Sequence, residues 1–416
     1  MDSYLFIIGL CVVIIVSFFT NILAKKTNIP SVLILILMGI GINQLLKYFK
    51  LEPDFFSTLE VLGIVGLIMI VLEAALDLEL KKEKWPIIWK AFVIALVSII
   101  VTPFVLSLIL QLFIPDLNFL PAIIYALPLS ILSSAIIIPS VANLDEHKRE
   151  FMIYEGTFSD ILGIMIFYLI IENTDVEGMR QLSFVIGSNI ILTLGTSMVL
   201  SYVLLYIIQN IKGQAKFFLF LSVLVLLYAV GKMFHLSSLI IILMFGLLLK
   251  NHKVLLFGRL EKWLRDERID ELYDQFKMIT VETSFLVRTF FFVVFGMILP
   301  LDMLTSLTVW VISLVFLLAS YLIRFCLFYV VENKNTMPET FIAPRGLISI
   351  LLFFAIPESL KTTGFESGIL FMVIIATSII MAWSLIATGK RKPKIIEEEF
   401  LIIIEEKEEQ NQNISE

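Results

Sequence analysis

The segment YEGTFSDILGIMIFYLII, residues 154–171, places two carboxylic acids at the start of an apolar run that is long enough to cross a membrane. A spanning helix needs roughly 20 mostly apolar residues. An acid at membrane depth costs several kcal/mol unless it is paired or hydrated, so such acids are functional by default. Glu155 and Asp160 are therefore the most informative positions in the chain.

The two acids are five residues apart, which on a helix is a rotation of about 500° and leaves them roughly 140° apart around the axis. They therefore cannot share one proton. Glu155 lies on one face with Ser159, whereas Asp160 lies on another face with Gly156 and Thr157. Because Gly156 has no side chain, another backbone can approach Asp160 there, and Thr157 adds a hydroxyl group. This pattern predicts an oxygen-lined corner suited to a small, hard cation.

The rest of the chain has the same apolar character. Hydrophobic residues make up 59% of its 416 positions and charged residues only 16%, which is more apolar surface than a soluble domain can bury. We therefore predict an all-α integral membrane protein with about 13 transmembrane helices. The predicted spans begin near Tyr4, Pro30, Phe55, Pro86, Phe119, Arg149, Leu182, Ala215, Leu236, Thr280, Met303, Thr340 and Phe365. The net charge of −6 gives no argument for a nucleic acid partner.

Lys and Arg residues are concentrated in the loops that follow odd-numbered spans. These loops hold Lys25, Lys26, Lys81, Lys82, Lys84, Lys148, Arg149, Lys212, Lys216, Lys334, Lys390, Arg391, Lys392 and Lys394. The opposite loops hold only Lys47, Lys50, Arg180, Lys232 and Lys361. Because positive charge is retained in the cytoplasm, we predict a multi-pass plasma (inner) membrane protein with its N-terminus outside and its C-terminus in the cytoplasm.

The even distribution of spans predicts one transmembrane domain over residues 1–388 rather than an anchor that carries a soluble domain. Within it, residues 251–278 are charged, with apolar residues at helical spacing, and are predicted to form an amphipathic linker helix on the cytoplasmic side. Residues 389–416 are predicted to be an acidic cytoplasmic tail. Cys11 and Cys326 both fall inside apolar runs and are predicted to be small core residues.

Two of the predicted spans contain residues that interrupt a regular helix. The fifth, PAIIYALPLSILSSAIIIPSVANL at 121–144, contains Pro128, Ser130, Ser133, Ser134 and Pro139. The twelfth, TFIAPRGLISILLFFAIPESL at 340–360, contains Pro344, Arg345, Gly346 and Pro357. Broken helices at matched places in two halves of a chain are typical of inverted-repeat transporters with a site near the membrane midplane. Carbonyl groups freed by such breaks can serve as ligands, whereas Ser133 and Ser134 either ligate the ion or pack between helices.

Five stretches resemble motifs of the monovalent cation:proton antiporter superfamily. Together they extend over most of the chain, and they occur along it in the same order as in that superfamily. LIMIVLEAALDLEL (67–80) resembles its Gly-Leu-Glu-Leu signature, and RTFFFVVFGMILP (288–300) resembles its FFF-x-x-x-G stretch. EGTFSD (155–160) resembles the E-x-x-x-N-D motif of the sodium/hydrogen exchanger family, and APRGLIS (343–349) resembles its LRGA segment. LSSAIIIPSV (132–141) is similar to the LSSTA form of the potassium-efflux branch. The resemblance implies an inverted-repeat antiporter fold with two crossing broken helices, and a homodimer.

The resemblance also implies residue roles. Asp160 matches the aspartate that binds the ion and the proton. Ser159 stands where one branch has Asn and a more electrogenic branch has a second Asp, so exchange of one cation for one proton is expected. Glu155 matches a glutamate that pairs with a basic residue on the span before the second broken helix, which here is Arg324, and Arg345 matches the arginine of that broken helix.

The expected function is exchange of a monovalent cation for H⁺ by competition at Asp160, with Na⁺ favoured over K⁺ and Li⁺ not distinguished. No cofactor is predicted. The alternative is a potassium-efflux-type channel or carrier on the same fold. An intramembrane enzyme is not expected, because the spans contain no Ser-His-Asp, His-x-x-Glu-His or paired aspartate arrangement.

Overall fold

The computed structural model describes most of the apolar part of the chain. The described residues are 3–27, 31–49, 56–115, 117–142, 144–172, 195–207, 209–210, 222, 224–225, 238–255, 266–299, 306–332, 336–362 and 365–388. Within these ranges, all regular secondary structure is helical. This confirms the prediction of an all-α protein.

The α-helices follow one another along the chain with short connections in the described regions. They are α1 Ser3–Thr27, α2 Ser31–Tyr48, α3 Phe56–Asp77, α4 Trp85–Phe113, α5 Phe119–Ser130, α6 Ser134–Ser140, α7 Glu146–Glu172, α8 Gly195–Ile207, α9 Ser238–Leu255, α10 Asp266–Ile298, α11 Leu307–Glu332, α12 Leu347–Phe354 and α13 Gly368–Thr388. Short 3₁₀-helices occupy Lys82–Lys84, Glu339–Phe341 and Glu358–Leu360.

Seven helical segments in the described part of the chain are long and apolar enough to cross a membrane. They are Ser31–Tyr48, Lys82–Phe113, Phe119–Ser140, Glu146–Ile171, Arg268–Ile298, Leu307–Val331 and Gly368–Thr388. The predicted spans that begin near Leu182 and Ala215 lie largely outside the described residues. The total of about 13 spans therefore stays a prediction.

The helices pack in two groups. In the first, α10 packs against α2 and α3, α9 packs against α3, and α1 packs against α2 and α10. In the second, α4 packs against α5, α7 and α11, while α6 contacts α7, α12 contacts α5 and α11 contacts α13. Contacts of α7 with α3 and α9, and of α12 with α3, join the two groups. The broken helices therefore lie in the second group, beside the acidic helix α7.

The predicted linker over residues 251–278 is divided between two helices. Residues 251–255 are the end of α9, which is kinked at Asn251, and residues 266–278 are the first part of α10. Residues 256–265 lie outside the described part. The 266–278 portion is thus continuous with the following span.

Cys11 and Cys326 are exposed on helix surfaces, so the prediction that they are core residues was wrong. Each lies on a helix of which only one side packs against the protein. An apolar run in a membrane protein is apolar on its lipid side as well, and its sequence therefore does not show which residues face inward.

Residues 288–298 of the RTFFFVVFGMILP stretch form the part of α10 that crosses α2 closely. Phe291, Phe292 and Phe295 are buried, and Gly296 meets Gly39 backbone to backbone. A Cβ atom on Gly39 would lie 2.9 Å from the Cα atom of Gly296. Two glycines therefore let these helices approach more closely than any other pair of residues would permit.

Replacing Gly39 by Ala should destabilise the protein by about 1–3 kcal/mol, because the added methyl group has backbone atoms as neighbours and they cannot rotate away. Thermal unfolding in detergent measures the change. Gly41→Ala on the same helix is the matched control, since a Cβ atom there meets nothing within 4 Å. A Gly39→Ala protein as stable as the Gly41→Ala protein would contradict the close crossing.

Candidate functional site

The first broken helix is interrupted at residues 131–133, between α5 and α6. The backbone N–H groups that this interruption frees are bound by other parts of the protein. Leu132 N donates to Ser159 Oγ (2.9 Å), Ser133 N donates to the Pro344 carbonyl oxygen (2.9 Å), and Ser134 N donates to Asp160 Oδ2 (3.0 Å). Three successive N–H groups are thus satisfied by α7 and by the second broken helix.

Pro139 was predicted as a break residue, but it lies inside α6 and the interruption occurs six to eight residues earlier. Pro128 likewise lies inside α5. The two prolines therefore flank the break instead of lying in it. The break itself is stabilised by the hydrogen bonds that residues 132–134 donate to α7 and to the second broken helix.

The second broken helix is interrupted between the 3₁₀-helix Glu339–Phe341 and α12, where residues 342–346 are not helical. Pro344 and Gly346, both predicted as break residues, lie in this segment. The two interruptions touch, because a Cβ atom on Gly346 would lie 2.5 Å from Ser133 Oγ and 2.8 Å from Ser133 Cβ. Only glycine at position 346 permits this approach.

Asp160 lies on α7 directly beside the first break and is 1% exposed. Its Oδ2 atom accepts the hydrogen bond from Ser134 N, while its Oδ1 atom has no hydrogen-bond partner within the described residues. One turn earlier, a Cβ atom on Gly156 would lie 2.9 Å from Ile137 Cδ1 and 3.4 Å from the Cα atom of Ser134. α6 thus contacts α7 beside Asp160, but its backbone lies at an ordinary van der Waals distance that does not itself require glycine at position 156.

The other predicted ion-binding residues surround the same break. Ser159 binds Leu132 N, and Thr157 Oγ1 donates to the Ile153 carbonyl oxygen of its own helix at 2.8 Å. Ser133 and Ser134 are both buried. Ser159 and Asp160, which are adjacent on α7, therefore bind the two sides of one interruption. The hydrogen bond from Leu132 N to Ser159 also gives Ser159 a role in stabilising the break.

Glu155 and Arg324, which the resemblance pairs, are in direct contact. Arg324 Nη1 lies 2.5 Å from Glu155 Oε1 and Nη2 lies 2.8 Å from Oε2, and both residues are buried. Arg324 also donates to the carbonyl oxygens of Glu339, Thr340 and Ile342 at 3.0–3.3 Å. One guanidinium group thus binds a carboxylate on α7 and three carbonyl groups of the second broken helix.

Arg345 serves the first broken helix in a similar way. Its Nε atom donates to the Leu129 carbonyl oxygen (2.9 Å), and Nη1 donates to the Ala343 carbonyl oxygen (2.6 Å). Leu129 lies in the last turn of α5, where carbonyl groups lack helical partners and a cation is favourable. Sequence reasoning did not foresee this contact, although an arginine in a span with a break suggests that freed carbonyl groups are its partners.

Sequence reasoning also missed the ion pairs between α3 and α10. Arg288 Nη2 lies 3.5 Å from Glu73 Oε1, and Lys277 Nζ lies 3.1 Å from Asp77 Oδ1. Acids four residues apart occupy one face of α3. That spacing was the available signal that both acids would meet the same neighbouring helix.

The helical bundle, the two interrupted helices in contact and the buried carboxylate beside them together define an ion transporter of the membrane. The family model described as "Sodium/hydrogen exchanger, transmembrane" matches residues 13–390. The chain therefore belongs to the sodium/hydrogen exchanger family, and it is an antiporter.

Solved structures show the same fold. The structure of the sodium proton antiporter MjNhaP1 from Methanocaldococcus jannaschii at pH 8 is 19% identical, with a TM-score of 0.66 over 93% of this chain and 99% of that one. An electron microscopy map of the same antiporter gives 20% identity and a TM-score of 0.64, over 95% of this chain and 100% of that one. No curated protein sequence matches the chain significantly.

Replacing Glu155 by Gln should destabilise the protein by about 3–5 kcal/mol, because it leaves the buried Arg324 charge without a counter-ion. Thermal unfolding in detergent checks this. The exposed pair of Lys253 and Asp270, 2.8 Å apart, offers the control, and Asp270→Asn should cost at most about 1 kcal/mol. Equal losses for the two variants would contradict a buried, desolvated ion pair.

Proposed function

We propose that this chain exchanges a monovalent cation, Na⁺ in preference to K⁺, for H⁺ by competition at Asp160. The observation that carries the proposal is the lone buried carboxylate at the first helix break. One of its oxygens is held by Ser134 N, and the other is not used by any described part of the protein. The name of the similar MjNhaP1 structure, a sodium proton antiporter, points to the same substrates.

Competition follows from the cost of burying a charge. An ionised carboxylate in a dehydrated site is unfavourable unless a cation or a proton neutralises it. The hydrogen bond from Ser134 N fixes the direction of the carboxylate, so that Oδ1 is available for either ligand. The hydroxyl groups of Thr157, Ser133 and Ser134, together with carbonyl groups freed by the break, supply further oxygen ligands for a hard cation.

The charge balance of the site supports exchange of one cation for one proton. Ser159 brings no second carboxylate next to Asp160, and Glu155 is neutralised by Arg324. The site is then neutral with either ligand bound. A carrier that changes sides only in these two states moves no net charge.

The resemblance and the order of the elements support the larger arrangement. Two long helices, a broken helix and another long helix occur as α3 to α7 and again as α10 to α13, which favours an inverted repeat with about 13 spans. The Lys and Arg bias favours a plasma membrane location with the N-terminus outside and the C-terminus inside. In this proposal residues 1–388 are the exchanger domain, residues 389–416 are a cytoplasmic tail, and two copies form a homodimer.

Asp160→Asn should abolish Na⁺-driven proton movement in everted vesicles, because an amide cannot exchange a proton or neutralise a cation. Fluorescence of a pH-sensitive dye measures the flux. Asp270→Asn, which removes an exposed acid from α10, is the control and should retain the wild-type rate. Undiminished exchange in Asp160→Asn vesicles would overturn the mechanism.

A membrane potential imposed with K⁺ and valinomycin should leave the rate of Na⁺/H⁺ exchange unchanged in proteoliposomes. The reason is that the loaded site is neutral in both transported states. The measurement compares initial rates at zero potential and at about −100 mV, where each uncompensated charge would gain about 2.3 kcal/mol. A rate that follows the potential would refute one-for-one exchange.

A further inference from the structure

A second ion pair joins α7 to the second broken helix, outside the site described above. Lys148 Nζ lies 2.7 Å from Glu339 Oε1 and 2.9 Å from Oε2, and it also donates to the Met337 carbonyl oxygen at 2.8 Å. The Glu339 side chain is only 9% exposed, and that of Lys148 is 26% exposed. A pair that is shielded to this degree, with several donors in use, is stronger than an exposed surface pair.

Lys148 and Glu155 lie on the same face of α7. They are seven residues apart, which is close to two helical turns, or roughly 10 Å along the axis. The residues between them on this face also contact α11, because Phe151 packs edge-to-face on Phe328 (5.6 Å between ring centroids). This face of α7 therefore holds residues 337–342 at two places, directly through Lys148 and indirectly through Arg324, which Glu155 binds.

Glu339 is the residue that both contacts share. Its carboxylate binds Lys148, and its backbone carbonyl accepts from Arg324 Nη2 at 3.1 Å. Arg324 in turn binds Glu155. The side chains of Lys148, Glu339, Arg324 and Glu155 together carry no net charge. The position of residue 339 determines where the carbonyl groups that Arg324 binds lie.

The segment that follows Glu339 leads directly to the first break. The Pro344 carbonyl oxygen accepts from Ser133 N, and Gly346 packs against the Ser133 side chain. The next residue, Ser134, donates to Asp160. A displacement of residues 339–346 therefore changes the donor that orients the Asp160 carboxylate.

We propose that Glu339, held by Lys148, is a positioning residue for cation binding: the pair fixes the register of residues 339–346 and thereby the geometry of the Ser133–Ser134 break at Asp160. This inference rests on the proposed function of Asp160. Neither side chain contacts the site itself, so the effect is on the affinity for the cation and not on the chemistry of exchange.

The test compares Glu339→Gln, Lys148→Met and Lys148→Arg in proteoliposomes. The first two should raise the half-saturating Na⁺ concentration about tenfold, as the loss of an outer partner does at metal sites, with the maximal rate within about twofold of wild type. Lys148→Arg keeps the cation and should restore wild-type affinity. The double variant Lys148→Met with Glu339→Gln should be no worse than either single variant, because both remove one interaction.

The control is Glu358→Gln, which breaks the exposed pair of Lys361 and Glu358 at the other end of the same broken helix (2.5 Å). It should leave the Na⁺ dependence unchanged. If the wild type exchanges Na⁺ and Asp160→Asn does not, but Glu339→Gln and Lys148→Met both show wild-type affinity, the positioning role is refuted. The proposed function survives in that case.

Hydrogen exchange measured by mass spectrometry provides a readout that does not depend on transport. Glu339→Gln and Lys148→Met should increase exchange in peptides that cover residues 336–346, whereas Glu358→Gln should not. Unchanged protection of residues 336–346 in both Lys148→Met and Glu339→Gln would overturn the inference, even if the wild-type protein failed to exchange Na⁺.

Discussion

Backbone groups at membrane depth have no water to bind, so every interruption of a helix must be compensated by another part of the protein. In this chain the N–H groups of residues 132–134 are bound by Ser159, Pro344 and Asp160. The freed carbonyl groups are bound by the two arginines, Arg324 and Arg345. The two broken helices, α7 and α11 consequently have one mutual arrangement, since any shift would leave several polar groups unpaired.

The same constraint governs the charges. Glu155, Arg324, Glu339 and Lys148 neutralise one another, and Arg345 lies against carbonyl groups. Buried ion pairs recover little net stability because their desolvation is costly. Their effect is to specify geometry, in this case the register of the segment that crosses the first break. Asp160 differs from these residues, since among the described residues its hydrogen-bond partner is Ser134 and no cationic side chain pairs with it. This is why we assign the exchanged charge to it.

Particular residues show how far the sequence could be interpreted. An acid five residues from another at the start of an apolar run was enough to single out Asp160, whereas the glycine one turn before it meets the neighbouring backbone only at an ordinary contact distance. Pro139 indicated the wrong position for the break, because a proline does not itself show where the backbone hydrogen bonds change partner. The prediction that Cys11 and Cys326 are core residues was wrong because lipid-facing and buried apolar residues are chemically alike.

The sequence by itself determined that the chain is a helical membrane protein, which family its motifs resemble, and which few charged residues lie within apolar spans. These are local properties, since the hydrophobic length of a helix and the cost of a buried charge depend on neighbours within a few turns. Only the tertiary structure decided that Ser134 orients Asp160, that Arg345 binds the end of α5, and that Lys148 reaches Glu339. Lys148 and Glu339 are 191 residues apart, and their contact depends on the packing of α7 against the second broken helix, which no local pattern encodes.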